Sequence, residues 1–379
     1  MGPPVDPTDL SQLFSKTAVS DALKRRLNAT IERLGGNPQS SLPQALGGAG
    51  YKGLMRALKN PRVDPSILFG AVYERTLDRV VPGEDVLCIE DTTDLTFGGA
   101  RGRKDLPRLE GKSTGFRAHV ALAVRADVVH SVLGVLDLRQ VVRGAETKAD
   151  FTALERYEDP DKESLRWSQT VEAAEARTAG RASLIHVRDR EGDDYEQLAT
   201  MAGKGQRFVQ RMRQARLIAE APIDTPGARK VDEAFDGVAG ICDREVILSA
   251  RAQSKSDPRP PADRKVHPAR RRRDARLRFN ARALTISRPK NASKELPATL
   301  PINVVHVVEI EPPEGEQPVE WYLLTREPID TVEQVLRVVD IYRARWLIET
   351  AQTQTRKLRS ASSCIGAFSS SNGDLERAA

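Results

Sequence analysis

Three acidic residues occupy places where chemistry is conceivable: Asp91, Asp189 and Glu349. Asp91 follows the strand-like Val86-Leu87-Cys88-Ile89, and Asp189 follows the apolar run Leu184-Ile185-His186-Val187-Arg188. Sites in open α/β sheets gather at the carboxyl ends of strands, and two acids at one sheet edge can share a metal ion. An aspartate after a strand also commonly makes an Asx-turn or caps a helix, so neither is diagnostic alone. Val335, Tyr342 and Glu349 recur every seven residues of an expected helix, which sets them within about 40° of one another. The core-facing stripe thus ends in a carboxylate, which is costly there unless it is paired or bound to a cation. Arg345, four residues earlier, is the simplest partner.

The chain around these acids has 379 residues, 39% hydrophobic and 30% charged, which fits two or three globular domains. No leader pattern opens it and no run of about 18 apolar residues interrupts it, so no membrane partner is expected and the location is taken as cytoplasmic, bacterial and nucleoid-associated. Cys88, Cys242 and Cys364 lie far apart, and none of the five histidines joins a cysteine at zinc-ligand spacing. No structural zinc is expected.

The formal charge of +6 is uneven: nine Lys/Arg between Pro258 and Arg278 face only Asp263 and Asp274, a local +7. This block, with Arg270, Arg271, Arg272 and Arg273, suits phosphate neutralisation or a solvated loop equally well.

Helical periodicity predicts an α-region over residues 9–80, broken at Gly35-Gly36-Asn37-Pro38, with Asp64-Pro65 opening its last helix. On its second stretch Lys52, Arg56 and Lys59 point away from Leu54, Met55 and Leu58. Strands follow at 86–89, 116–125 and 130–138, then a helix containing Trp167 that ends near Arg181. A β-α-β unit is predicted over 184–212, a basic β-region over 220–315 and a strand at Glu320–Thr325. Thr331 and Gln334 make a capping box for a helix through at least Thr350. The divisions are 1–80, 81–219, 220–315, 316–359 and an unpatterned tail, 360–379.

Taken together, Asp91, Asp189 and Glu349 resemble the DDE triad of RNase H-like transposases, and the chain is most similar to the insertion-sequence-four family of Tn-five-like enzymes. The resemblance rests on Ile89-Glu-Asp-Thr-Thr-Asp-Leu95, Gly115-Phe-Arg-Ala-His119, Arg188-Asp-Arg-Glu-Gly-Asp193, Arg207-Phe-Val-Gln-Arg211, Trp321-Tyr-Leu-Leu-Thr-Arg-Glu-Pro328 and Tyr342-Arg-Ala-Arg-Trp-Leu-Ile-Glu349. It covers about residues 10–350, and Tyr-x-x-Arg-x-x-x-Glu after a Trp-containing strand is its most specific part.

The resemblance implies an α/β fold: an RNase H-like mixed sheet flanked by helices, with an inserted β-region and a small helical DNA-binding domain at 1–80. It implies cut-and-paste cleavage and strand transfer, with a hairpin as the family's route and Mg²⁺, or Mn²⁺ in its place, held by Asp91, Asp189 and Glu349. Tyr342 and Arg345 would hold phosphates, Trp321 would stack on a flipped base, and Arg211 would contact DNA nearby. Double-stranded DNA is the partner, and a homodimer is the family's working state.

The pattern fails after Glu349. Thr353 and Arg356 stand where the family carries DNA-contacting lysines, so of these two positions only Arg356 keeps a cation for DNA. The tail lacks the family's dimerisation helices, as a frameshift or a natural shortening would leave it. A non-catalytic DNA-binding inhibitor of a full-length relative is therefore the competing reading. A nuclease or resolvase without transposition is disfavoured by Tyr342, Arg345 and Trp321.

Overall fold

The computed structural model describes residues 13–37, 40–96, 109, 114–141, 164–248 and 270–351. Two compact units make up the chain: Met1–His186 with Ala344–Ala379, and Val187–Arg343. The architecture is mixed α/β, with strands that pair mostly antiparallel and helices between them.

In the first unit, three helices precede the strands: α1 (Asp21–Gly36), α2 (Leu42–Leu58) and α3 (Pro65–Asp78). Residues 13–16 form a turn where helix was expected, and Leu10 lies outside the described residues. Ser41 and Gln44 close a reciprocal cap on α2, and Asp64 accepts the Ser66 N–H ahead of Pro65 in α3, as that Asp-Pro pair predicts. Both caps satisfy amide groups that a helix start otherwise leaves without partners.

Strands β1 (Asp85–Thr96), β2 (Gly115–Arg125), β3 (Val132–Val141) and β4 (Ser183–Arg188) stand in the order β3-β2-β1-β4, with β1–β2 and β2–β3 antiparallel. β1 is longer than its apolar run predicts. Burial is complete from Val86 to Glu90, yet pairing with β2 continues to Thr96 opposite Gly115, so Asp91 sits within the strand and not at its end. The β-branched Thr92 and Thr93, with Leu95 facing inward, sustain the extension.

Helix α4 (Leu165–Thr178) turns Trp167, Val171 and Ala174 inward on one face, and Ala174 joins Val86, Cys88, Ala121, Ala123 and Leu136 in one apolar cluster. Helix α3 docks on β3 where Thr76 Oγ1 accepts the Val135 N–H at 3.0 Å and donates to its carbonyl at 2.9 Å. Gly134 permits this approach: its φ is +147°, and a Cβ there would lie 2.3 Å from Thr76 Oγ1.

The second unit holds α5 (Tyr195–Gly203), β5 (Arg207–Arg211), β6 (Cys242–Leu248), β7 (Arg273–Ser287), β8 (Thr299–Ile310), β9 (Glu320–Thr325) and α6 (Val332–Arg343). Its strand order is β5-β9-β8-β7-β6, each neighbour antiparallel. The strands of the 220–315 stretch therefore share a ladder with β9: β8 pairs with it from Asn303↔Thr325 to Val308↔Glu320. The Thr331–Gln334 capping box is present at the start of α6.

That helix ends earlier than predicted. Residues 344 and 345 form a turn and 346–351 are helical again, with the Leu347 and Ile348 N–H groups bonded three residues back, to Ala344 and Arg345. The seven-residue alignment of Val335, Tyr342 and Glu349 assumed one unbroken helix, so it does not carry through to Glu349. Among the described residues no helix is long and apolar enough to cross a membrane.

Candidate functional site

Alternation along β1 sends Cys88 and Glu90 to one face and Asp91 to the other. On the first face they meet His186 of β4, beneath α4. All three are fully buried, and one ligand atom from each lies within 4.8 Å of the others, so the group could hold a metal ion. His186 Nδ1 stands 2.7 Å from Glu90 Oε1, and its Nε2 stands 3.1 Å from Glu175 Oε1, supplied by α4. His119, opposite Thr92 on β2, brings its Nε2 to 4.0 Å from Glu90 Oε2 and sets its ring edge-on to Trp167 at 4.4 Å. Thr92 Oγ1 bonds His119 Nδ1 at 2.9 Å and accepts Arg166 Nε at 3.0 Å.

Electrostatics follow from this packing. Burial disfavours a charged His186, but the Cys88 sulfur and the carboxylates of Glu175 and Glu90 outweigh it and hold the imidazole well above its ordinary pKa. Two acceptor-only carboxylates, one at each ring nitrogen, are what an imidazolium with two N–H donors satisfies. Burial pushes the Cys88 thiol up, against the pull of His186.

Of the acids singled out in the sequence, Asp91 is half-buried on β1 opposite Val120, and Glu349 falls in the same compact unit. Asp189 belongs to the second unit. It directly follows β4 and caps a short 3₁₀ turn by accepting the Glu191 N–H at 2.8 Å, while the Gln210 amide donates to its carbonyl. Glu349 accepts Arg345 Nη2 at 2.8 Å, the pairing that their four-residue spacing offered. Arg345 also lies 5.3 Å from the Trp346 ring.

In the second unit Arg211, Trp321 and Tyr342 come together from β5, β9 and α6. Trp321 meets buried Tyr342 edge-on at 5.5 Å, and the Arg211 guanidinium lies 5.8 Å over the Trp321 ring, with a 3.4 Å bond to the Glu320 carbonyl. Arg211 and Trp321 keep partial exposure. Next to them Tyr322 stacks on His306 at 4.4 Å and bonds Glu320 at 3.0 Å, and burial pushes its hydroxyl pKa upward. No pattern in the sequence marked that pair.

Lys52 and Arg56 are exposed on α2. Arg271 and Arg272 are exposed, whereas Arg273 turns onto Glu309 at 3.0 Å and onto Glu316, and Arg276 and Arg278 both pair with Asp243. Internal carboxylates thus neutralise part of the basic block. Arg270 is half-buried; residues 258–269, Thr353, Arg356 and the 360–379 tail lie outside the described residues.

No protein-family model matches the chain. Among solved structures it is similar to a piggyBac transposase in a synaptic complex with hairpin DNA, at 11% identity and a TM-score of 0.35, over 92% of this chain and 57% of that one. The chain therefore spans little more than half the length of that protein, and a likeness of this size carries no argument for a shared fold or activity.

Proposed function

We propose that the chain is a DNA transposase of the insertion-sequence-four kind, built on an RNase H-like core, in which Asp91, Asp189 and Glu349 hold Mg²⁺ or Mn²⁺ for end cleavage and strand transfer. The observation that carries the reading is the meeting of Arg211, Trp321 and Tyr342. The sequence resemblance marks all three as DNA contacts; they lie far apart in the chain and converge as a cation over an indole beside a phenol. A half-exposed indole stacks on an unpaired base of any sequence, and a guanidinium beside it suits the adjoining phosphate. Asp189, directly after β4, is consistent with a metal-bearing acid as well as with its capping bond.

Metal-dependent phosphoryl displacement needs an activated water or 3′-hydroxyl and neutralisation of charge on the phosphate and the leaving oxygen. Three carboxylates holding divalent ions would supply both. Lys52, Arg56 and the exposed Arg271 and Arg272 would neutralise flanking phosphates, and the divisions at 80, 219, 315 and 359 belong to this reading. So do a dimeric working state and a nucleoid location.

One pair of observations favours a second reading, a DNA-binding protein without catalysis: Glu349 is paired to Arg345, and Thr353 stands where a lysine is expected. One experiment separates the two. Purified chain is mixed with DNA carrying the repeats that flank its own gene, with Mg²⁺ or Mn²⁺, and nicked, hairpin and excised products are resolved on denaturing gels. Metal-dependent cleavage, reduced at least about 100-fold by Asp91→Ala, Asp189→Ala or Glu349→Ala with binding retained, supports the transposase. Binding without cleavage supports the second reading, and no binding at all removes both.

A further inference from the structure

Glu90 is fully buried, and while its Oε1 faces His186, its Oε2 has no hydrogen-bond partner. A carboxylate oxygen left that way in the core is expensive unless something cationic reaches it. What surrounds it is a thiol, an imidazole and, at 4.0 Å, a second imidazole from His119. We propose that Cys88, Glu90 and His186 form a buried site for a thiolate-preferring divalent cation of the zinc class, with Glu175 orienting His186 and His119 in reach as a fourth ligand.

The donor set decides the class of ion. One sulfur, one oxygen and one or two imidazole nitrogens match zinc's preferences, whereas Mg²⁺ demands an all-oxygen shell that this donor set does not offer. Glu175 strengthens the case because a metal-bound histidine characteristically gives its other N–H to a carboxylate, and His186 Nε2 already faces one at 3.1 Å. That leaves Nδ1 for the ion. Metal bonds of about 2.0–2.3 Å put neighbouring ligand atoms roughly 3–4 Å apart, so small side-chain shifts suffice from a cluster whose donors lie within 4.8 Å.

In the bound state Cys88 would serve as thiolate and His186 Nδ1 as a neutral nitrogen, any proton on either passing to solvent, while sulfur and nitrogen each form a bond to the ion and no electrons are transferred. The buried ion would tie β1 to β4 from the side opposite Asp91.

The test uses the full-length chain, unfolded and refolded under reducing conditions with Co²⁺. Binding is followed by metal analysis and by thiolate-to-cobalt absorption. The expected result is one Co²⁺ per chain, absorption that Zn²⁺ abolishes and excess Mg²⁺ does not, loss of that absorption in Cys88→Ser, and retention in Cys242→Ser/Cys364→Ser. X-ray absorption of the zinc-loaded wild type, expected to show one sulfur among nitrogen and oxygen ligands, guards against a Cys88→Ser chain that does not fold. A refolded wild type that binds neither ion, a sulfur-free shell, or absorption surviving Cys88→Ser would overturn the site. DNA cleavage enters none of these readouts, so the site stands or falls apart from the transposase reading.

Discussion

In the first unit Cys88, Glu90 and His186 are shut away from solvent entirely, whereas in the second Arg211 and Trp321 stay half-open around a buried Tyr342. Both groups mix aromatic or imidazole rings with charge, but their energetics run in opposite directions. Buried charge is tolerated only when its partners are present, so loss of one member is felt by the fold. A half-open cation over an indole costs the folded chain little to keep and leaves a face for a ligand. The contrast separates residues that hold the protein together from residues available to a partner.

The strongest way to break this contrast is Glu90→Ala. It leaves the buried His186 with Glu175 as its one carboxylate partner and should cost about 3–5 kcal/mol, read as a lower urea midpoint at unchanged slope. A cost below about 1 kcal/mol would mean that the cluster is not energetically closed. Trp321→Leu should do the reverse. Loss of one base-stacking ring should weaken affinity for DNA with unpaired bases by about 1–3 kcal/mol, with a smaller change in folding stability. Equal affinity in filter binding would remove Trp321 from the interface.

A smaller effect belongs to the exposed pair Arg271 and Arg272. Replacing both with alanine should leave stability within about 0.5 kcal/mol while lowering the salt slope of DNA binding by about one for each phosphate no longer neutralised. An unchanged slope would make the block a solvated loop. Arg273, held by Glu309 and Glu316, should behave oppositely and report on folding.

How far the sequence reaches follows the same division. Local rules account for the Asp64-Pro65 helix start and the Thr331–Gln334 box, because the partners lie within four residues of each other. The extension of β1 was hidden, since Glu90-Asp91-Thr92-Thr93-Asp94 is too polar to read as a continuation of the apolar run, and its pairing with β2 together with inward-facing Leu95 keeps it extended. Nothing announced the break at 344 and 345 either, as Tyr342-Arg343-Ala344-Arg345-Trp346 holds no proline or glycine. The buried cluster is invisible to ligand spacing along the chain, because Cys88 and His186 meet only through the neighbouring positions of β1 and β4. The aromatic-basic group was legible only through resemblance, for no periodicity links Arg211 to Trp321.

The smallest effect sharpens the contrast from the surface of the second unit. Asp243 lies directly opposite Arg278 in the β6–β7 ladder and accepts from it at 2.9 and 3.2 Å, with Arg276 on the same carboxylate at 2.8 Å. The Arg278 hydrogen bond is the main reason that its carboxyl sits below the ordinary aspartate value near 3.8, with desolvation opposing it and the charges of Arg278 and Arg276 adding to it. A folded-state pKa below the unfolded one means that the pair's contribution is present above that ordinary value and disappears as pH falls through the lower folded value. Arginine stays charged throughout, so only the carboxylate titrates. Asp243→Asn should therefore destabilise slightly at neutral pH and lose less stability than the parent chain on acidification to about pH 3. Both guanidiniums are well exposed, so salt should shrink the difference. Urea midpoints across that range decide the matter: converging profiles at acid pH establish the contribution, and parallel profiles show that this pair, unlike the buried cluster, adds nothing to the fold.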